Sequence, residues 1–430
     1  YCIIKLCRFQ DIFQVFLSKT LQKEKKNDIL IENGKNQLPF IGKEMSAMSE
    51  MKKNTHLRFL HCSDIHLDTP FSGLTAEKSD ERRRALRDSF MRTMQYVRDR
   101  GVNVVLISGD LFDVRFATNT TAEVLIREFR NCPDTVFIIA PGKSDFYNNN
   151  PIYTSGRLPS NVYVFSEEKL QRFDFEKYNV TVYGWAFCEE TLTESPLYEK
   201  HVDDPSRINL VCGYADLDGT IDSTCCPVSE SDLKKFGADY YALGSRHAAG
   251  DFVKLGDSIY SYCGSLECTG FSEPGIGGAN LIVVDHNEGE LSIDVKRLSF
   301  GHLRFVTEQM DITGVDTGNE IISRISRLIS DKKYGMDTAL RVELVGNIAP
   351  DFIVQKNLES DAFGLYFFDL VDKTLPLFGT EHFEHDMTAS GEVYRKLLPL
   401  LRSESEEERL TAARAFRIAL AALENRENDL

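Results

Sequence analysis

Asp64 and His66 stand two residues apart just past an apolar run, Leu57–Cys62, and Asp110 follows Gly109 just past a second run, Val102–Ser108. A carboxylate beside an imidazole at the C-terminal end of a strand is how an open α/β sheet presents metal ligands at its rim. In an extended turn, residues two apart point to one side, so Asp64 and His66 can share an ion. Gly109 lets the backbone turn sharply at Asp110. The chemistry these three residues suit is divalent-metal binding.

Two apolar runs of this kind read as buried parallel strands. Between them, Leu86, Phe90, Met94 and Val97 recur at helical spacing, and Gly101 closes the pattern, which predicts a helix over Ser79–Arg100. Strand, helix and strand make a βαβ unit. A second helix is expected near Thr120–Arg130 and a further strand at Thr135–Ala140. Strands at Val180–Trp185, Ile208–Cys212, Tyr240–Leu243, Ser258–Tyr262, Asn280–Val284 and Leu291–Leu298 follow with little helix between them. They are expected to form a second, largely antiparallel sheet packed on the first.

A chain of 430 residues exceeds one compact core, so two or three domains are expected. No apolar run is long enough to cross a bilayer. The ten cysteines are scattered without a CxxC pair, which points to a reduced, cytoplasmic protein. The net charge of −16 is not that of a nucleic-acid binder. Any DNA contact must be local or supplied by a partner. Arg82-Arg83-Arg84 is the one evident basic patch, and a solvated helix face explains it equally well. Residues 1–55 differ in texture: ten basic and six acidic residues make them +4, leaving −20 for the rest. They are expected to be a non-family extension, disordered or an over-extended start, with Met45, Met48 or Met51 as natural starts. A signal peptide is the second reading.

The strings DIH and GDLFD resemble the D-x-H and G-D-x-x-D motifs of the calcineurin-like metallophosphoesterases, and HCSDIHLDTPFSGL is similar to DNA-repair exonucleases of the SbcCD nuclease-subunit type, in their YhaO-like branch. The resemblance runs from Leu57 toward the C-terminus and is strongest before Phe300. It implies an α/β fold: a metallophosphoesterase β-sandwich flanked by helices over residues 56–304, then a small α+β capping domain over 305–386. A C-terminal helical tail, 387–430, completes it. The family holds two divalent ions, and manganese suits its oxygen- and imidazole-rich ligands.

Carried over position by position, the first metal site has Asp64, His66, Asp110 and, as the last histidine of a G-H-x-H motif, His247. The second is degenerate. Lys143 stands for its asparagine, Cys212 for the histidine of an H-G motif, and Ser245 for the first histidine of G-H-x-H. Ser144 takes the position of the proton-donor histidine. At most one Mn²⁺ or similar ion per chain is expected. A lysine cannot ligate while charged, but its ammonium could replace part of the lost cation's field beside Asp110. The alternative, a Cys212 thiolate holding a soft ion such as zinc, is opposed by that same charge. Asp113 and Asp145 are expected to brace the ligand loops from behind.

His61 is expected to be packed, His382 and His385 to lie on the surface, and the Gly264-Ser265-Leu266-Glu267 turn to be structural. In the tail, helices are expected at Gly391–Leu401 and Glu406–Asn425, with Ser403 and Glu406 as a capping box. They either cover the cap or, as the resemblance implies, dock a coiled-coil SMC-like ATPase. The resulting reading is a nuclease-family subunit with weak or no activity, free of membrane, meeting DNA through its partner and compatible with a dimer. The alternatives are an active one-metal exonuclease or phosphodiesterase and a small-molecule phosphohydrolase.

Overall fold

A computed structural model of the chain describes residues 55–72, 74–219, 223–287, 290–349, 352, 354–355, 358–376 and 383–423. The N-terminal extension up to residue 54, His382 and residues 424–430 lie outside it. The chain first lays down β1 (Thr55–Cys62), α1 (Ala76–Arg100), β2 (Val104–Ser108), α2 (Asn119–Arg130), β3 (Val136–Ala140) and β4 (Val162–Val164). The strands pair in parallel in the order β1-β2-β3-β4. Thr75 starts α1 by accepting from the Lys78 N–H. Gly101, at φ +60°, stops it in the left-handed conformation that glycine adopts freely. Thr118 and Thr121 cap α2 reciprocally.

The second sheet holds β5 (Gln171–Phe175), β6 (Val180–Gly184), β7 (Ile208–Tyr214), β10 (Tyr240–Gly244), β11 (Val253–Leu255) and β12 (Ser258–Tyr262); β8 (Asp216–Leu217) and β9 (Pro227–Val228) form a small separate ribbon, with helix α3 at Glu230–Phe236. Its order is β11-β12-β10-β7-β6-β5. It is not largely antiparallel, as the closely spaced strands suggested. The central pairs β6–β7, β7–β10 and β10–β12 are parallel, and only the edges β5 and β11 run antiparallel. Irregular chain and the short α3 serve as the crossovers, so helix content was a poor guide to strand direction. The strands expected at Asn280–Val284 and Leu291–Leu298 belong to the other sheet. They form β13 (Gly275–Asn287) and part of β14 (Glu290–Asp311), which extend the first sheet antiparallel from β1.

The two sheets face each other over a core of Leu57, Phe59, Leu106, Ile138, Val182, Leu210 and Tyr240. On the outer face of the first sheet, Leu86, Phe90 and Met94 of α1 and Leu125 and Phe129 of α2 pack on Leu60, Val105 and Ile139. On the outer face of the second, Leu233 and Phe236 of α3 pack with Trp185, Val211 and Tyr241. This is a mixed α/β sandwich flanked by helices, and it puts the C-terminal ends of β1, β2 and β3 on one rim.

Beyond residue 304 the first sheet continues. The boundary at 304/305 falls inside β14, which pairs antiparallel with β13 and then parallel with β15 (Thr338–Val345); β17 (Phe367–Asp372) joins β15. Helix α4 (Gly318–Lys332) packs Ile321, Ile325 and Ile329 on this extension, and β16 (Asn347–Ile348) pairs with β18 (Leu375–Pro376). The tail is a hairpin of α5 (Ala389–Leu401) and α6 (Glu406–Leu423) around Tyr394, Phe416 and Leu420. Ser405, not Ser403, accepts from the Glu408 N–H at 3.5 Å at the start of α6. Among the described residues no helix is long and apolar enough to cross a membrane.

Candidate metal centre

The loops after β1 and β2 are laced together. The N–H groups of Ile65 and His66 donate to the Asp110 carbonyl at 2.8 and 2.9 Å, and Asp64 N–H donates to the Gly109 carbonyl at 3.1 Å. This holds Asp64, His66 and Asp110 at φ of +49°, +49° and +53°, a region that side-chain-bearing residues seldom enter. Ser245, after β10, is held at φ +108°. Such strain gathers where surrounding structure over-determines the backbone, as at a functional rim. Gly244 is required there: a Cβ would stand 1.7 Å from the Ser108 carbonyl oxygen.

Three of the four expected ligands converge on the rim, and the fourth, Asp110, reaches only the His66 ring. The ligand atoms of Asp64, His66 and His247 all lie within 4.8 Å of one another. His66 Nε2 is 3.3 Å from His247 Nε2 and 3.5 Å from Asp110 Oδ2, and His247 Nε2 is 3.8 Å from Asp64 Oδ1. Each ring is held from behind. Asp113 Oδ1 takes the Nδ1 side of His66 at 2.8 Å, and Glu273 Oε1 takes that of His247 at 2.9 Å. A carboxylate behind each ring fixes the tautomer that leaves Nε2 facing inward. Asp64 Oδ1 is buried without a hydrogen-bond partner. An orphaned carboxylate oxygen facing two imidazole nitrogens fits a divalent cation, with two nitrogen donors and one oxygen donor, and Asp110 beside His66.

The electrostatics agree. Burial pushes the Asp64 and Asp110 carboxyls up, which the histidines only partly offset. Burial alone would lower His66, but the Asp113 hydrogen bond and the charges of Asp110, Asp113 and Asp64 lift it to about 9. The Glu273 hydrogen bond raises His247. Asp145 lies beneath the rim, accepting the N–H groups of Asp110, Leu111 and Gly142 and the Tyr153 hydroxyl. Its burial and the Asp110 charge raise it to about 7.

On the far side of Asp110 no second cluster of donors forms among the described residues. Ser144 donates its N–H to Asp110 Oδ1 at 2.7 Å and its hydroxyl to Oδ2 at 3.1 Å. Lys143 is exposed and makes no ion pair with Asp110, so its ammonium does not replace a cation's charge. The turn spends the backbone N–H groups on either side of Lys143 on Asp145 and Asp110 and leaves its side chain in solvent. Cys212 does not line the pocket either. It is fully buried between the sheets, and burial pushes its thiol well up, which removes the thiolate a soft ion would need. Ser245 ties its hydroxyl to the Ala215 carbonyl at 2.7 Å.

Two residues at the centre were not evident from sequence. Glu273 sits in a loop 26 positions past His247, without a motif. Tyr214 ends β7, two residues past Cys212, is 6% exposed, and lies against the Asp110 carboxylate. Elsewhere, His61 is buried between the Tyr240 hydroxyl and Ser108 Oγ, and burial lowers it to about 3. His385 is exposed. Of the arginine run, Arg82 is not a surface residue. It is buried and paired with Glu267 at 3.1 Å, which also accepts from the N–H groups of His302 and Leu303.

Residues 57–247 match the family model of the calcineurin-like phosphoesterases. Those residues carry a calcineurin-like phosphoesterase domain. The chain is 25% identical over 319 residues, 70% of its length, to the uncharacterized metallophosphoesterase YhaO of Bacillus subtilis, covering 74% of that protein. It is 27% identical over 233 residues to the DNA double-strand break repair protein Mre11 of Methanopyrus kandleri, half of this chain and half of that one. A dimetal phosphatase structure from Danio rerio is similar at 11% identity and a TM-score of 0.35, over 57% of this chain and 99% of that one.

Proposed function

We propose that this chain is a nuclease-type metallophosphoesterase subunit reduced to a single metal ion. Asp64, His66, Asp110 and His247 hold one Mn²⁺ or similar ion, and catalysis of phosphodiester cleavage is weak or lost. When bound, a divalent ion at this centre supplies charge to polarise a phosphate oxygen. Asp113 and Glu273 orient the two imidazoles, and Asp145 holds the Asp110 turn. The observation that carries the reading is that the described hydrogen bonds to the far side of Asp110 come from the Ser144 hydroxyl and backbone N–H. Neither of these is a proton donor matched to a leaving alkoxide near neutral pH.

The similarity to Mre11 and the chain's strong acidity favour a subunit that meets DNA through a partner, a coiled-coil SMC-like ATPase in the cytoplasm. The test is Mn²⁺-dependent cleavage of single- and double-stranded DNA and of a bis-aryl phosphate, with and without that ATPase. Loss of general acid catalysis alone costs roughly 10²–10⁴-fold, so the expected rate is near background. Robust DNA cleavage abolished by Asp64→Ala would establish the one-metal exonuclease instead. Turnover confined to small phosphate esters would establish a phosphohydrolase.

A further inference from the structure

The sandwich rim has a feature that the missing ligands do not explain. The Tyr214 side chain fills space at the Gly109 and Gly142 turns beside Asp110. The Tyr214 ring lies between the two turns that would present a second ion. A Cβ on Gly109 would meet Tyr214 Cδ2 at 2.3 Å, and a Cβ on Gly142 would meet the same carbon at 2.8 Å and Asp110 Oδ1 at 2.5 Å. Both turns have glycine where the ring passes, so ring and turns fit closely. Phe187 packs edge-on against the ring, with centroids 5.2 Å apart. The carbonyl of Tyr214 accepts from Trp185 Nε1 at 3.2 Å, and the next carbonyl, Ala215, accepts from Ser245 Oγ and from the Tyr262 hydroxyl. The segment is anchored from three sides, and the ring edge lies beside the Asp110 carboxylate at the Gly142 turn.

We infer that Tyr214 sets the metal count: its ring occupies the place beside Asp110 that a second cation would take. The inference rests on the one-ion reading above and names the residue that enforces it. A cation needs ligand oxygens at about 2.0–2.3 Å with nothing between. A ring wedged between the Gly109 and Gly142 turns denies that approach to the second face of Asp110. Ser144 meanwhile gives the Asp110 carboxylate two hydrogen bonds, at 2.7 and 3.1 Å. Replacing the lost ligands therefore leaves the second position closed while the ring stays.

The experiment counts bound Mn²⁺ by elemental analysis after gel filtration and by calorimetric titration, on the full chain. Lys143→Asn with Ser245→His places two new ligands around Asp110 at exposed and half-buried positions. With Tyr214 kept, or changed to Phe, this double variant is expected to bind one ion. Adding Tyr214→Ser is expected to raise the count to two. Tyr214→Val, which keeps apolar contact with Phe187, serves as a second opening variant, and circular dichroism melts check that each is folded. Two ions bound with Tyr214 in place overturns the inference, as does a count of one in both opening variants. Two ions on the unaltered chain would instead overturn the one-ion reading itself.

Discussion

His66 and His247 turn their Nε2 atoms toward each other at 3.3 Å while Asp113 and Glu273 hold both rings from behind. With each Nδ1–H given to a carboxylate, two neutral rings would face each other lone pair to lone pair. Something positive must lie between them, a proton or a cation, and the buried carboxylates of Asp64 and Asp110 line the same gap.

The first prediction follows from that cluster. Asp64→Ala and His247→Ala should each abolish Mn²⁺ binding, and Glu273→Gln should weaken it roughly 10–100-fold by freeing the His247 ring. Calorimetric titration measures all three. An unchanged affinity in Glu273→Gln would remove the orienting role assigned to that carboxylate.

The second concerns pH. His66 keeps its proton up to about 9 without an ion. A metal ligand must be neutral, so binding has to expel that proton. Affinity is therefore expected to rise with pH between 6 and 9, with proton release visible as a dependence of the binding heat on buffer ionisation enthalpy. Asp113→Asn removes the main group raising His66 and should flatten that rise.

How much of this was readable beforehand depends on how local each signal is. The ligand-bearing ends of β1 and β2 could be read because each apolar run stops abruptly at an acidic residue, and α1 because Leu86, Phe90, Met94 and Val97 keep one face. The direction of the second sheet could not be read, since β6, β7, β10 and β12 are joined by segments whose lengths suit either direction. Tyr214 and Glu273 could not be read either. Their role exists only after the loops of β7 and of residues 264–275 arrive beside residues far away in sequence. Arg82 misled for a similar reason: its partner Glu267 is 185 positions on.

The third prediction concerns stability. Burial depresses His61 from 6.5 to about 3. The unfolded chain therefore binds a proton in that window and the folded chain does not. The contribution is fully present above pH 6.5 and is lost as pH falls toward 3, at about 1.4 kcal/mol per pH unit. Urea denaturation from pH 7 to 4 should show a shallower slope in His61→Gln than in the parent.

The fourth concerns the Arg82–Glu267 pair, in which both side chains are nearly wholly buried. Removing one partner leaves a buried, unpaired charge, so Arg82→Met or Glu267→Gln should each cost about 3–5 kcal/mol in denaturant unfolding. The double variant should cost less than the sum of the two. Strict additivity would mean the two residues act independently.

The long strand β14 constrains how this molecule can move. Arg304 and Phe305, at the expected boundary of the cap, are paired on one side to Ile276 and Gly275 of β13 and on the other to Thr338 and Ala339 of β15. A seam stapled along both edges cannot act as a hinge. A load applied to the sheet beyond residue 304 has no loose joint at which to dissipate. It passes as shear through β14 into β13, whose first residue, Gly275, lies two positions beyond Glu273, the carboxylate that aims His247.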